Sequence, residues 1–231
     1  EDYAKGFPNH PHRGFETVTY VLDGAMDHRD SLGNHGHLVG GSAQWMTAGH
    51  GIIHSEMPQQ DRGLIWAFQL WVNLPAAKKL TAPRYQDIPP ERITLVDADG
   101  AAVRVVAGEV AGRRGPVEGI VTSPTMIDVA LAAGARFTEP LVETHTAFAY
   151  VIDGSVLIGE RRRRVQSGQL AALEPGASFV AESPTGGRFL LCAAQPLREP
   201  VARYGPFVMN TDDELKQAMA DYRSGRLVSS G

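Results

Sequence analysis

Apolar and polar residues alternate with a period of two through FETVTYVLDG, residues 15–24. Glu16, Val18, Tyr20 and Leu22 fall on one face, and Thr17, Thr19 and Val21 on the other, the pattern of a β-strand. AFAYVIDGSVLIG, residues 147–159, reads the same way and ends in glycine, as a hairpin would. MIDVALAAGARFT, residues 126–138, is another strand-like run, whereas the paired prolines of IPPERITLVDADG, residues 88–100, predict a connection. Helix is expected only near the end. Thr211 and Glu214 form a capping-box pattern, and Leu215, Met219 and Tyr222 then share a helical face that packs on the fold.

The pattern repeats. Tyr20-Val-Leu-Asp-Gly24 is echoed 130 residues later by Tyr150-Val-Ile-Asp-Gly154. The spaced glycines of Gly41-SAQWMTA-Gly49 return as Gly168-QLAALEP-Gly176, at an offset of 127. Two paired matches at nearly one offset mark two homologous lobes, 1–110 and 120–200, followed by a tail, 201–231. Short strands punctuated by Gly and Asp predict an all-β fold, a sandwich or small barrel of antiparallel strands in each lobe. The strand-like run at 126–138 has its lobe-one counterpart before residue 1, so a leading segment is expected to be missing.

Composition narrows the function. Against 22 Lys and Arg stand 26 Asp and Glu, a net charge of −4 over 231 residues, which disfavours direct binding of nucleic-acid phosphates. The single cysteine, Cys192 in FLLCAA, rules out an internal disulfide and suits a reducing, cytoplasmic setting; it reads as a buried strand residue. No apolar run is long enough for a membrane-spanning helix. No P-loop, dinucleotide fingerprint or Ser-His-Asp arrangement appears.

Seven of the eight histidines precede residue 55. His10 and His12 enter the first strand of lobe one, and His54 and Glu56 follow its second echo. Residues at i and i+2 on a strand share a face, so two such pairs on neighbouring strands supply four inward ligands. Three imidazoles and one carboxylate suit one divalent ion such as Fe, Mn, Ni, Cu, Co or Zn, with an open position left over. The repeat is an internal control. By its offsets these four positions project onto Pro140, Val142, Ala181 and Ser183, so lobe two keeps the turns and loses the ligands.

HPHRGFETVTYVLDG, QWMTAGHGIIHSEMP and QLWVNLP resemble the pirin family of the cupin superfamily, and YGPFVMNT is similar to its C-terminal signature. The resemblance implies a bicupin, two antiparallel β-barrel or jelly-roll lobes with a short C-terminal helix. It implies a single iron-type ion, most simply Fe(II), held by His10, His12, His54 and Glu56. It also implies quercetin 2,3-dioxygenase-type activity, in which O2 opens a flavonol ring with loss of carbon monoxide and Glu56 is the proton acceptor. The alternative it implies is a non-enzymatic, redox-sensing iron protein that acts through a protein partner. His50 stands where the eukaryotic pattern carries arginine, which tilts the reading toward an enzyme, and two lobes that cover one another make a monomer the expected state.

Around this site Glu16 is expected to support a ligand or lie buried and paired. His50 is a candidate relay at the substrate mouth, and Phe7, Phe15 and Trp45 are candidate walls for a planar aromatic substrate. His28, His35 and His37, in the Gly-rich DHRDSLGNHGH, read as exposed hairpin residues, and Arg161–Arg164 as a solvated turn.

Overall fold

The alternating segment at residue 15 becomes strand β2, Phe15–Asp23, in the computed structural model, which describes residues 5–59 and 63–228. Both faces of β2 are buried, so its polar residues face the interior as well as its apolar ones. Seven further strands complete the first set: β1 (Phe7–His12), β3 (Ala25–Asp30), β4 (His35–Val39), β5 (Ala43–Thr47), β6 (Ile52–Pro58), β7 (Trp66–Asn73) and β8 (Arg84–Ile88). They form two four-stranded antiparallel sheets, ordered β1-β6-β3-β4 and β7-β2-β5-β8. Cupin-type lobes of this kind, mostly strand with one short C-terminal helix, are what the repeat and the resemblance predicted.

Strand register shows the repeat. Tyr20 pairs with Ala43 and Val18 with Trp45. At the offsets of 130 and 127 these become Tyr150 with Leu170 and Phe148 with Ala172, both observed.

The chain divides into two compact units, residues 1–90 with 197–231, and residues 91–196. This division differs from lobes expected at 1–110 and 120–200 with a separate tail. In the structure β9 (Thr94–Ala98) and β10 (Ala101–Ala107) form a hairpin, and β10 pairs with Thr125–Leu131, so both belong to the second unit. The expected connection at 88–100 therefore ends early. Asp99 and Gly100 sit at φ 41° and 85°, as a tight two-residue hairpin turn requires, and this Asp-Gly signal outweighs the prolines upstream.

In the second unit the sheet runs from Ala135–Pro140 through Ser178–Ser183, Thr146–Ile158, Gly187–Ala194 and Thr125–Leu131 to β10 and β9. Phe137, Phe179 and Phe189 fill its centre with Ile127, Val129 and Leu191. Pro140 lies opposite Ser178, three residues from the Ala181 that the repeat offsets place there. No group of metal-ligating side chains occurs among this unit's described residues.

Two buried carboxylates of this unit behave differently. Asp128 receives the Arg188 guanidinium through two hydrogen bonds, 2.9 and 2.6 Å. Glu139 is 7% exposed, and burial pushes its carboxyl up to about 7. A carboxyl raised on folding stabilises most while protonated, and that contribution is lost as pH rises from the ordinary glutamate range to about 7. Glu139→Gln is therefore expected to raise stability at pH 8 by about 2 kcal/mol and to change it little at pH 4.5. Thermal melts at the two pH values check this, and equal gains at both would refute it.

The C-terminal segment folds with the first unit. Helix α1, Asp212–Arg223, carries the predicted capping box: Glu214 N donates to Thr211 Oγ1 (3.3 Å) and Thr211 N to Glu214 Oε2 (2.9 Å). Leu215 and Ala218 are buried and Met219 packs against them, while the partly exposed Tyr222 meets Phe207 edge-on at 6.5 Å, so the predicted face packs and Ala218 extends it. Phe207, Met209 and Leu227 complete this small core. No described helix is long and apolar enough to cross a membrane.

Candidate metal centre

Strands β1 and β6 are antiparallel neighbours, with His10 directly opposite His54. His12 follows His10 by two residues and returns to the same face. The three rings meet: centroids lie 4.3 Å apart for His10–His54, 4.8 Å for His10–His12 and 4.9 Å for His12–His54. His12 and His54 are fully buried and His10 is half-buried, at the edge of the group.

Hydrogen bonds decide which nitrogens are bare. His10 Nδ1 lies 2.8 Å from the Pro8 carbonyl oxygen and His12 Nδ1 3.2 Å from that of Pro206. A carbonyl only accepts, so both Nδ1 atoms carry the proton and both Nε2 atoms offer a lone pair. The Nε2 atoms of His12 and His54 are buried without a hydrogen-bond partner. Orphaned buried acceptors are rare, and imidazole lone pairs converging on one point form a donor set suited to a first-row divalent cation.

Proton affinity agrees. Burial, then the neighbouring His10 charge, lowers His12 to about 4, although the Pro206 carbonyl opposes the shift. Burial followed by repulsion from His12, His10 and His28 lowers His54 to about 2. The His12 and His54 rings are therefore neutral at pH 7, the form that binds metals.

Glu56 lies two residues beyond His54 on the same face of β6. Its Oε1 accepts from Thr19 Oγ1 (3.0 Å) and Gln44 Nε2 (2.6 Å), and its Oε2 from Gln69 Nε2 (2.6 Å). Tyr85 Oη donates to Gln44 Oε1 (3.3 Å), which turns that amide's N–H toward Glu56. Glu56 groups most closely with His54 and His28, so His54 belongs to two overlapping clusters, one with His10 and His12 and one with His28 and Glu56.

His28 overturns an expectation. It is fully buried, paired across β3–β6 with Glu56 and stacked on Tyr85 at 4.5 Å and 12°. His35 and His37 are exposed, as expected, and both face Asp27. Glu16 and Trp45 are buried but lie on the other face of their sheet, since Thr19 and Gln44, which reach Glu56, occupy alternate positions. There Glu16 accepts from Thr47 Oγ1 (2.7 Å), and burial raises its carboxyl. Phe15 packs 5.0 Å from His12, and the exposed Phe7 meets His10 edge-on at 6.4 Å. His50 stands outside the imidazole cluster and is held by its backbone, its N donating to Thr81 O (2.9 Å) and its carbonyl accepting from Arg13 Nε.

Thr19, Gln44, Gln69, Tyr85 and Pro206 support the site without having been singled out. Strand alternation separates Thr19 from Glu16 and Gln44 from Trp45, but both faces of β2 are buried, and it is the fold that turns Thr19 and Gln44 toward Glu56.

Comparison with known proteins agrees with this architecture. Residues 1–72 match the family model described as Pirin, and residues 126–228 the one described as Pirin C-terminal cupin domain. A Pseudomonas aeruginosa protein named "Putative quercetin 2,3-dioxygenase PA3240" is 48% identical over 99% of this chain and 82% of its own length. Human pirin is 42% identical over 96% of this chain and 77% of its own length. The crystal structure of quercetin 2,3-dioxygenase from Acinetobacter baumannii superposes with a TM-score of 0.90, at 37% identity over 96% of this chain and 79% of that one. With this likeness over nearly its whole length, and with a histidine cluster in its N-terminal cupin lobe, the chain belongs to the pirin family.

Proposed function

We propose that the chain is a metal-dependent dioxygenase of flavonol-type aromatics, using Fe(II) held by His10, His12, His54 and Glu56. The observation that carries this reading is the convergence of three imidazoles, with the Nε2 atoms of His12 and His54 buried and unpartnered, beside exposed aromatic rings. Phe7 is 63% exposed beside His10, and Trp71 is 39% exposed with its ring 5.4 Å from that of His12. Two aromatic faces next to a cation site suit a planar substrate with an acidic hydroxyl. The Arg203 guanidinium, 4.9 Å over the Trp71 ring, adds a positive charge suited to a phenolate. The names of the Pseudomonas and Acinetobacter relatives point the same way.

Bound there, the ion would acidify the substrate hydroxyl and supply the redox chemistry with O2. The chain's own residues orient and receive. Thr19, Gln44 and Gln69 fix the Glu56 carboxylate, and Oε2, with one donor, keeps one lone pair, which would pass from holding the ion to taking the hydroxyl proton as Glu56 loosens its hold. Phe15 and Trp71, with centroids 4.3 Å apart, close the apolar side and limit water. In the overall reaction both atoms of O2 enter the ring-opened product, and one ring carbon leaves with its own oxygen as carbon monoxide.

The test follows loss of the flavonol visible band under O2, with protein reconstituted anaerobically with Fe(II) and an identical sample stripped by chelator. Catalytic loss in the first and none in the second is expected. Tight metal uptake without flavonol loss would overturn the oxygenase reading in favour of a metal-sensing regulator.

A further inference from the structure

We infer that Asp30 and His28 form a positioning pair that fixes the tautomer of His54, so that its Nε2 is presented bare to a metal. The inference rests on the reading that His10, His12 and His54 hold the ion.

The chain of contacts has a defined direction. Asp30 begins as a pure acceptor: its Oδ1 takes the backbone N–H groups of Leu32 (2.9 Å) and Asn34 (3.0 Å), and its Oδ2 takes Asn34 Nδ2 (2.9 Å). His28 Nε2 lies 3.3 Å from Asp30 Oδ2, so the proton of that contact is on the imidazole. In a neutral ring the other nitrogen, Nδ1, is then an acceptor. It faces His54 Nδ1 at 3.4 Å, which makes His54 the donor there. His54 thus keeps its proton on Nδ1, and its buried, unpartnered Nε2 is the nitrogen left with a lone pair. His10 and His12 reach the same tautomer by donating to backbone carbonyls. His54 lacks such a carbonyl contact and uses a side-chain pair instead.

The pair is built to hold its geometry. His28 and Asp30 are two residues apart on β3, and both side chains of their contact are fully buried. The Tyr85 ring stacked on His28 restricts its rotation. None of these groups needs to touch the ion for the arrangement to work.

Two variants separate positioning from mere packing. His28→Phe keeps the stack on Tyr85 and removes the acceptor, whereas His28→Asn places a carbonyl oxygen close to the position of Nδ1. Asp30→Asn is nearly isosteric. Its oxygen is claimed by the Leu32 and Asn34 backbone N–H groups, so its NH2 takes the place of Oδ2: the Asn34 side-chain amide turns its oxygen to accept from it, and the other N–H faces His28 Nε2 and reverses the hydrogen-bond direction through to His54.

Imidazole 15N correlation spectra of the metal-free protein read each tautomer directly, and competition with a chelator for Co(II) reads affinity. His54 is expected as the Nδ1–H tautomer in the wild type and as Nε2–H in Asp30→Asn. Co(II) affinity is expected to fall about 10–100-fold in His28→Phe and Asp30→Asn, and to recover in His28→Asn. An Nε2–H tautomer of His54 in the wild type overturns the inference, as does wild-type affinity in folded Asp30→Asn. A wild type with the expected tautomer and no Co(II) affinity instead refutes the metal reading on which the inference rests.

Discussion

His54→Ala is expected to lower metal affinity about 10²–10³-fold and to abolish any metal-dependent turnover. Structural zinc sites with four ligands gain about 10–16 kcal/mol at neutral pH, roughly 2.5–4 kcal/mol for each ligand. His54 is the residue shared by both clusters, so its loss also leaves His28 Nδ1 without its donor. Metal stoichiometry and chelator competition check the claim, and wild-type uptake by the variant would sink it. The metal-free protein offers a second readout. A histidine whose proton affinity falls on folding destabilises the native state once the unfolded chain can take the proton the folded one refuses. The stability held above pH about 6.5 is therefore lost as pH falls toward the folded value of about 2. At pH 5 this amounts to about 2 kcal/mol. His54→Ala removes that acid loss, so the stability gap between wild type and variant should narrow by this amount between pH 8 and pH 5.

The triad was legible because it obeys local rules. Alternation puts His10 and His12 on one face of β1, and it puts His54 and Glu56 on one face of β6. The repeat supplied a second lobe with none of them, although the register of Ala135–Pro140 on Ser178–Ser183 departs from the offsets. Glu16 was harder. One residue separates the face that carries Thr19 from the face that carries Glu16, and sequence alone does not show which of two buried faces of β2 meets the ligands. His28 was hidden by its polar, Gly-rich surroundings. Its burial depends on pairing with β6 and on Tyr85 from β8, neither of which its own segment announces. The Pro206 carbonyl on His12 spans 194 positions and lies beyond any local pattern. The domain boundary moved because the Asp99-Gly100 turn makes a strand of Thr94–Ala98, which the prolines had argued against.

That long-range contact gives the C-terminal segment a part in the site, and Lys79 is where it can be tested. Lys79 is 1% exposed, and its three ammonium protons meet three acceptors: Gly14 O (2.9 Å), Val208 O (2.9 Å) and Asn73 Oδ1 (2.6 Å). Gly14 follows β1 by two residues, and Val208 follows Pro206 by two. The backbones there lie so close that a Cβ on Gly14, at φ 90°, would stand 2.0 Å from Val208 O. Val208 N donates to Arg13 O (3.1 Å), and the Arg13 guanidinium reaches Asp221 on α1 (2.8 Å). Lys79→Met fills similar volume but leaves two backbone carbonyls and an amide oxygen unpaired in the interior, at a cost of about 3–5 kcal/mol. A lowered midpoint in denaturant is expected, with limited proteolysis opening residues 197–228 before the rest of the first unit. Because the same segment holds His12 through Pro206, metal affinity should fall with it, about tenfold, less than on loss of a ligand. A destabilised variant with wild-type metal affinity would show that the segment supports the fold alone. Loss of both together would make the tail a structural arm of the metal centre, reaching it through the carbonyl that sets the His12 tautomer.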